Sequence, residues 1–150
     1  MFNSYKRRKG RHSNINAYYA ITICCLNKQP IFANVANARL ISNILFNFAA
    51  TNNLITICYV VMPDHVHWLL QLKEGEPLSR LIGKFKSVST FQYNRLNKCH
   101  GPLWQANFYD HIIRNQDDLI NQARYIVANP LRANLVASVS NYPYWHCVYL

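Results

Sequence analysis

Residues 59–72 read Tyr-Val-Val-Met-Pro-Asp-His-Val-His-Trp-Leu-Leu-Gln-Leu, and no other stretch restricts the fold as tightly. They predict a buried strand, a tight turn at Met62-Pro63-Asp64 and a second strand. Side chains on a strand alternate between its faces. Val66, Trp68, Leu70 and Leu72 therefore make one apolar row suited to a core, while His65, His67, Leu69 and Gln71 make the other. Strand rise puts the two imidazoles roughly 6.5–7 Å apart along one face, near enough to share a metal ion. An arbitrary His-x-His is more often one packed and one surface histidine. Here both rings leave the core row and follow a turn at the sheet's end, which raises the weight of a shared ion.

The flanking segments supply the rest of a small α+β domain. Residues 17–26 are β-branched and aromatic, predicting a first strand. A helix is expected over 35–50, with Leu40, Ile41, Ile44, Leu45 and Phe48 as its apolar stripe. Residues 54–62 are nearly all apolar, as in a central strand covered on both faces. After a break at 74–77, a second helix is expected over 78–97, striped by Leu78, Leu81, Ile82, Phe85, Val88 and Leu96. Residues 103–114 predict a fourth strand, less regular at its start. Asn115 can cap a third helix with Asp117 and Asp118 in its first turn, matching the helix dipole, and Pro130 is expected to end it. The aromatic tail, 141–150, is expected to pack on the sheet or add an edge strand. The order β-α-β-β-α-β-α points to a ferredoxin-like antiparallel sheet with helices packed on it, one domain over residues 1–150, and a basic arm at 1–16.

Charge narrows the partners. Sixteen Lys and Arg face six Asp and Glu, a net charge of +10. Basic residues cluster at Lys6, Arg7, Arg8, Lys9 and Arg11, then at Arg80, Lys84 and Lys86, then at Arg95 and Lys98. With ten Tyr, seven Phe and three Trp available for stacking, nucleic acid outranks an anionic membrane as the polyanion partner. No apolar run is long enough to span a bilayer. Five cysteines, odd in number and without Cys-x-x-Cys spacing, are expected to be reduced thiols of a cytosolic protein.

At 100° per residue, Leu119, Ile120, Ala123, Ile126 and Val127 share one sector of the third helix, and Tyr125 lies about 160° from its centre. Such a tyrosine is either simply exposed or a nucleophile, since a phenolic oxygen can bond to phosphorus. Asn129, one turn later, projects on the same side. Beside Pro130 it is equally an ordinary helix-end residue. A helix laid over the histidine face could bring two imidazoles, an amide oxygen and a phenol to one point.

These residues carry a resemblance. Met62-Pro-Asp-His-Val-His-Trp-Leu-Leu70 resembles the His-hydrophobe-His motif of the single-tyrosine transposases in the HUH endonuclease superfamily. Trp104-Gln-Ala-Asn-Phe-Tyr-Asp-His-Ile-Ile-Arg-Asn115 and Tyr125-Ile-Val-Ala-Asn-Pro-Leu-Arg-Ala-Asn-Leu-Val136 resemble, more narrowly, the REP-associated tyrosine transposases. The resemblance implies a bacterial, cytoplasmic, nucleoid-associated enzyme that cuts single-stranded DNA beside hairpins. Its tyrosine becomes linked to the 5′-phosphate while a 3′-hydroxyl leaves, and the linkage stores the bond for rejoining. Carried over by position, His65 and His67 match the metal ligands, Tyr125 the nucleophile, and Asn129 a third ligand that is glutamine in many insertion-sequence relatives. The metal implied is Mg²⁺ or Mn²⁺; imidazole ligands favour manganese or zinc over magnesium.

Asp64 and His111 are candidate supporting groups, and Tyr109 is the rival nucleophile. An alternative reading is a catalytically idle protein that binds single-stranded or hairpin nucleic acid on the same sheet. A structural zinc site is weaker, lacking a spaced Cys/His set. Monomer and homodimer are both open.

Overall fold

A computed structural model describes residues 16–73 and 77–150. The basic cluster at Lys6, Arg7, Arg8, Lys9 and Arg11 lies outside the described residues. Strand β1 is Tyr18–Cys24, helix α1 Val35–Phe48, β2 Leu54–Met62, β3 His65–Leu72 and helix α2 Leu78–Asn97. They are followed by β4 Tyr109–Ile113, α3 Gln116–Val127, the short α4 Asn129–Arg132 and β5 Trp145–Cys147. The five strands form one sheet in the order β4-β1-β3-β2-β5, with every neighbouring pair antiparallel. The first four strands have the expected ferredoxin-like order, and the tail adds β5 at the β2 edge. No described helix is long and apolar enough to cross a membrane.

The hairpin forms where the sequence places it. Met62 pairs with His65, leaving Pro63 and Asp64 as a two-residue turn. That turn is pinned from outside: Cys25 N–H donates to the Asp64 carbonyl and Phe32 N–H to the Pro63 carbonyl, each at 2.9 Å. Val66, Trp68, Leu70 and Leu72 all enter a core with Ile41, Leu45 and Phe48 of α1 and Leu78, Leu81 and Phe85 of α2. Aromatic rings interlock at its centre, Trp68 lying 5.6 Å from Phe48 and 5.2 Å from Phe85. Each buries an area large enough to dominate the packing energy of that layer.

The opposite row also meets a helix. Leu69 joins Cys58, Val60 and Met62 of β2 in a second core closed by Leu119, Ala123, Ile126 and Val127 of α3. The histidine face is thus a second protein interior with a polar end. Asn115 caps α3 as expected, its side chain accepting from Asp118 N–H at 2.9 Å.

Two expected boundaries move. Residues 103–108 do not extend the fourth strand. Trp104 bridges to Cys25, its ring packs near Phe85, and its indole N–H donates to Ser89 at 2.8 Å. Docking that indole on α2 satisfies its donor, and a strand alternating past it could not do so. Pro130, for its part, sits in the first turn of α4, where its missing N–H is no loss, so the chain turns after Val127 into a further helix. All five cysteines are free thiols. Burial pushes the Cys25 thiol up to about 12, which makes it inert.

Candidate metal and nucleophile site

His65 and His67 converge on one point. Their Nε2 atoms lie 3.1 Å apart, with ring centroids at 4.7 Å and planes at 85°. The far nitrogens are both held. His65 Nδ1 meets the Asp64 carboxylate at 2.6 Å, and His67 Nδ1 meets the Thr22 hydroxyl at 3.0 Å. Asp64 can do this because the turn places it directly ahead of His65. Thr22 can do it because β1 pairs with β3 in a register that sets it opposite His67.

The pattern decides the chemistry available to each ring. A carboxylate accepts, so His65 carries its proton on Nδ1 and turns a lone pair at Nε2 toward its neighbour. Thr22 both donates and accepts, so it serves either tautomer of His67. With the proton on Nδ1, His67 also presents an Nε2 lone pair to the shared point. Burial, then the charges of His65 and Arg132, lower the His67 pKa from 6.5 to about 4, so its ring is neutral at neutral pH. Neutral imidazoles with the distal nitrogen hydrogen-bonded are the form in which histidine binds metals.

The donor set fits one cation. Metal–nitrogen bonds of 2.0–2.1 Å, meeting at tetrahedral or octahedral angles, separate the two nitrogens by about 2.8–3.4 Å, and 3.1 Å falls inside that range. Among the described residues no group of three His, Cys, Asp or Glu side chains clusters to hold a metal. Asn129 is the candidate third ligand. Its amide nitrogen is buried without a hydrogen-bond partner among the described residues, and turning the amide over presents a carbonyl oxygen there.

Helix α3, which carries Tyr125 and leads into Asn129 at the start of α4, packs on the histidine face of the sheet. Val127 packs with Val60 and Met62, the β2 partners of His67 and His65. Tyr125 itself points away from the α3 packing stripe and is 52% exposed, as the helical arithmetic predicts. Its ring lies beneath Arg132, whose guanidinium carbon is 3.7 Å from the ring centroid, and Arg132 Nη2 donates to the Tyr125 carbonyl.

The remaining candidates are spread more widely. Tyr109 pairs with Thr22 on the side of β1 away from His67, so it lies on the histidine face two strands off, about 9–10 Å by strand spacing. His111 is exposed on the same edge strand. Arg80 and Lys84 are exposed on α2, which covers the opposite face of the sheet. Lys86 is half-buried and donates to the carbonyls of Gln105 and Asn107, at 2.7 and 3.1 Å, tying the 103–108 segment to α2.

Two site residues escape a reading of the sequence. Thr22 lies in an apolar strand, and only strand pairing joins it to His67. Arg132 is seven residues beyond Tyr125, and the break between α3 and α4 decides that it folds back over the ring. The run Tyr125-Ile-Val-Ala-Asn-Pro, with proline two positions before the arginine, was the available signal.

Known proteins share this arrangement of elements. A solved REP-associated tyrosine transposase bound to a REP hairpin superposes with a TM-score of 0.76 at 22% identity, over 90% of this chain and 79% of that one. A REP-associated tyrosine transposase of Escherichia coli is 32% identical over 87 residues, 57% of this chain and 50% of that protein. A Haemophilus influenzae protein named as a candidate member of the same group is 32% identical over 99 residues, 59% of this chain and 56% of its own. The alignments thus span about half the length of these two relatives. Residues 13–129, which hold the histidine pair, Tyr125 and Asn129, match the family described as transposase IS200 like, and the chain belongs to that family.

Proposed function

We propose that this chain nicks and rejoins single-stranded DNA next to hairpins, with a divalent metal at His65 and His67 and a covalent 5′-phosphotyrosine at Tyr125. The observation that carries the reading is the pair of Nε2 atoms 3.1 Å apart, each imidazole fixed from behind by Asp64 or Thr22. A core has no use for two polar rings turned toward each other, whereas a cation does.

Bound there, Mg²⁺ or Mn²⁺ would polarise the scissile phosphate and offset the charge that builds up during attack. His65 and His67 would hold the ion through their facing Nε2 atoms. Asn129 would add its amide oxygen. Tyr125 supplies the nucleophile: its Oη–P bond forms as the P–O3′ bond breaks, and the phenolic proton balances the one gained by the departing 3′-oxygen. Phosphodiester exchanges for phosphodiester, so the reverse step rejoins the strand without another energy source. Arg80 and Lys84, with the basic cluster at residues 6–11, would meet backbone phosphates. A REP hairpin in the related structure suggests hairpin DNA as the substrate class.

The test is incubation with a labelled single-stranded hairpin library and Mn²⁺ or Mg²⁺, scored for covalent adducts and mapped by mass spectrometry. A phosphotyrosyl peptide within 115–132 supports the reading. An adduct at Tyr109 would reassign the nucleophile, and none under either metal would leave an idle DNA-binding module.

A further inference from the structure

We propose that Arg132 is a phosphate-binding residue, holding one backbone phosphodiester of bound DNA beside Tyr125. The inference deepens the reading above and rests on it for the identity of the ligand as DNA.

Three observations carry it. First, Arg132 is fixed in place while its side chain stays exposed: the guanidinium is seated 3.7 Å over the Tyr125 ring and anchored through Nη2 to the Tyr125 carbonyl. A guanidinium has five N–H donors in a planar fork, and this anchoring uses one nitrogen. Second, no carboxylate among the described residues pairs with it; the carboxylates of α3, Asp117 and Asp118, lie in the first turn at the far end of that helix. A cation held without its own counter-ion is preorganised for an anion from outside, and the fork matches phosphate bidentately. Third, the place is right: Arg132 closes α4, which starts at Asn129, and its guanidinium is stacked on the ring of the proposed nucleophile, so an anion on its free edge sits beside Tyr125. The aromatic seat lets the guanidinium keep its charge while shedding water on one face, which favours a weakly hydrated partner such as a phosphodiester.

The test reads binding rather than turnover. In the Tyr125→Phe background, which keeps the aromatic seat and forms no adduct, Kd is measured for a REP-type hairpin oligonucleotide with single-stranded flanks. Each linkage is replaced in turn by a neutral methylphosphonate. At one linkage, neutralisation should weaken binding about tenfold or more, the scale of a lost charge-assisted bond. Adding Arg132→Ala should bring no further loss there, while losses at other linkages add. Arg132→Lys, which retains charge without the fork, should recover part of the affinity and guards against a folding defect in the alanine variant. Additive losses at every linkage would overturn the proposal, and absence of DNA binding would overturn it together with the reading beneath it. Coupling at one linkage in a protein that forms no adduct from its wild-type sequence would uphold Arg132 and overturn nicking.

Discussion

The two faces of the sheet are both interiors, but among the described residues only one ends in a pair of facing histidines. Under α1 and α2 the β3 row Val66, Trp68, Leu70, Leu72 meets Phe48 and Phe85 in a layer of apolar side chains along its whole length. Under α3 the apolar contacts run from Leu69 through Val60 and Met62 to Val127, and at the turn end they give way to His65, His67, Thr22 and Asp64. Buried polar groups persist only where hydrogen-bonded. The difference teaches that α3 closes this core with its apolar stripe while leaving Tyr125 on its outer side, where the ring is exposed.

The sharpest break of that comparison exchanges damage between faces. His65→Ala or His67→Ala should abolish adduct formation and leave hairpin binding close to normal, since neither ring supports the Trp68 layer. Phe85→Ala should do the reverse, lowering stability by about 3–5 kcal/mol, as large aromatic truncations do, while the folded fraction still forms adduct. Full cleavage by the double histidine variant in Mn²⁺ would remove the metal role. Urea unfolding with adduct yield on the same samples separates the two outcomes.

Smaller effects should follow from the groups behind the ligands. Thr22→Val keeps the strand shape and removes the Nδ1 partner of His67, which should weaken metal binding about 10- to 100-fold. Asn129→Ala should slow adduct formation mainly at low metal, with recovery as Mn²⁺ is raised. A metal titration of adduct rate reads both, and an unshifted midpoint in each would place the ion elsewhere.

The histidine face should also be the acid-sensitive one. An unfolded His67 takes up a proton as pH falls through about 6.5, whereas in the fold it stays neutral down to about 4. Between those values the unfolded chain binds more protons, so metal-free stability is full above 6.5 and declines as pH falls. The decline should be on the order of 3 kcal/mol at most, and His67→Gln should flatten it in chemical denaturation across that window. Smallest of all, Tyr109→Phe should leave adduct formation nearly normal, because two strand spacings separate it from the ion site.

Local pattern was enough for much of this protein. Alternation over 65–72 assigned Trp68 to a core and the histidines to the other face, and helical spacing put Tyr125 opposite the stripe of α3, where it lies. Both follow from backbone periods that hold whatever the chain packs against. The ferredoxin-like order followed from the succession of elements, and the edge strand at 145–147 was one of two readings the aromatic tail allowed. Residues 103–108 were not legible, because the docking of Trp104 on Ser89 depends on a helix far off in sequence. Nor was it legible that the histidine row roofs a second core, since alternation names two faces without saying which are covered.

Tertiary structure alone decided the site's finer composition. Thr22 and His67 are forty-five residues apart and meet through strand register. Arg132 reaches Tyr125 because the chain turns between α3 and α4. A sequence determines what its own short-range periodicities fix, namely which side chains share a strand or helix face. Convergence of groups from different elements is set by pairing register and packing, which no local period encodes.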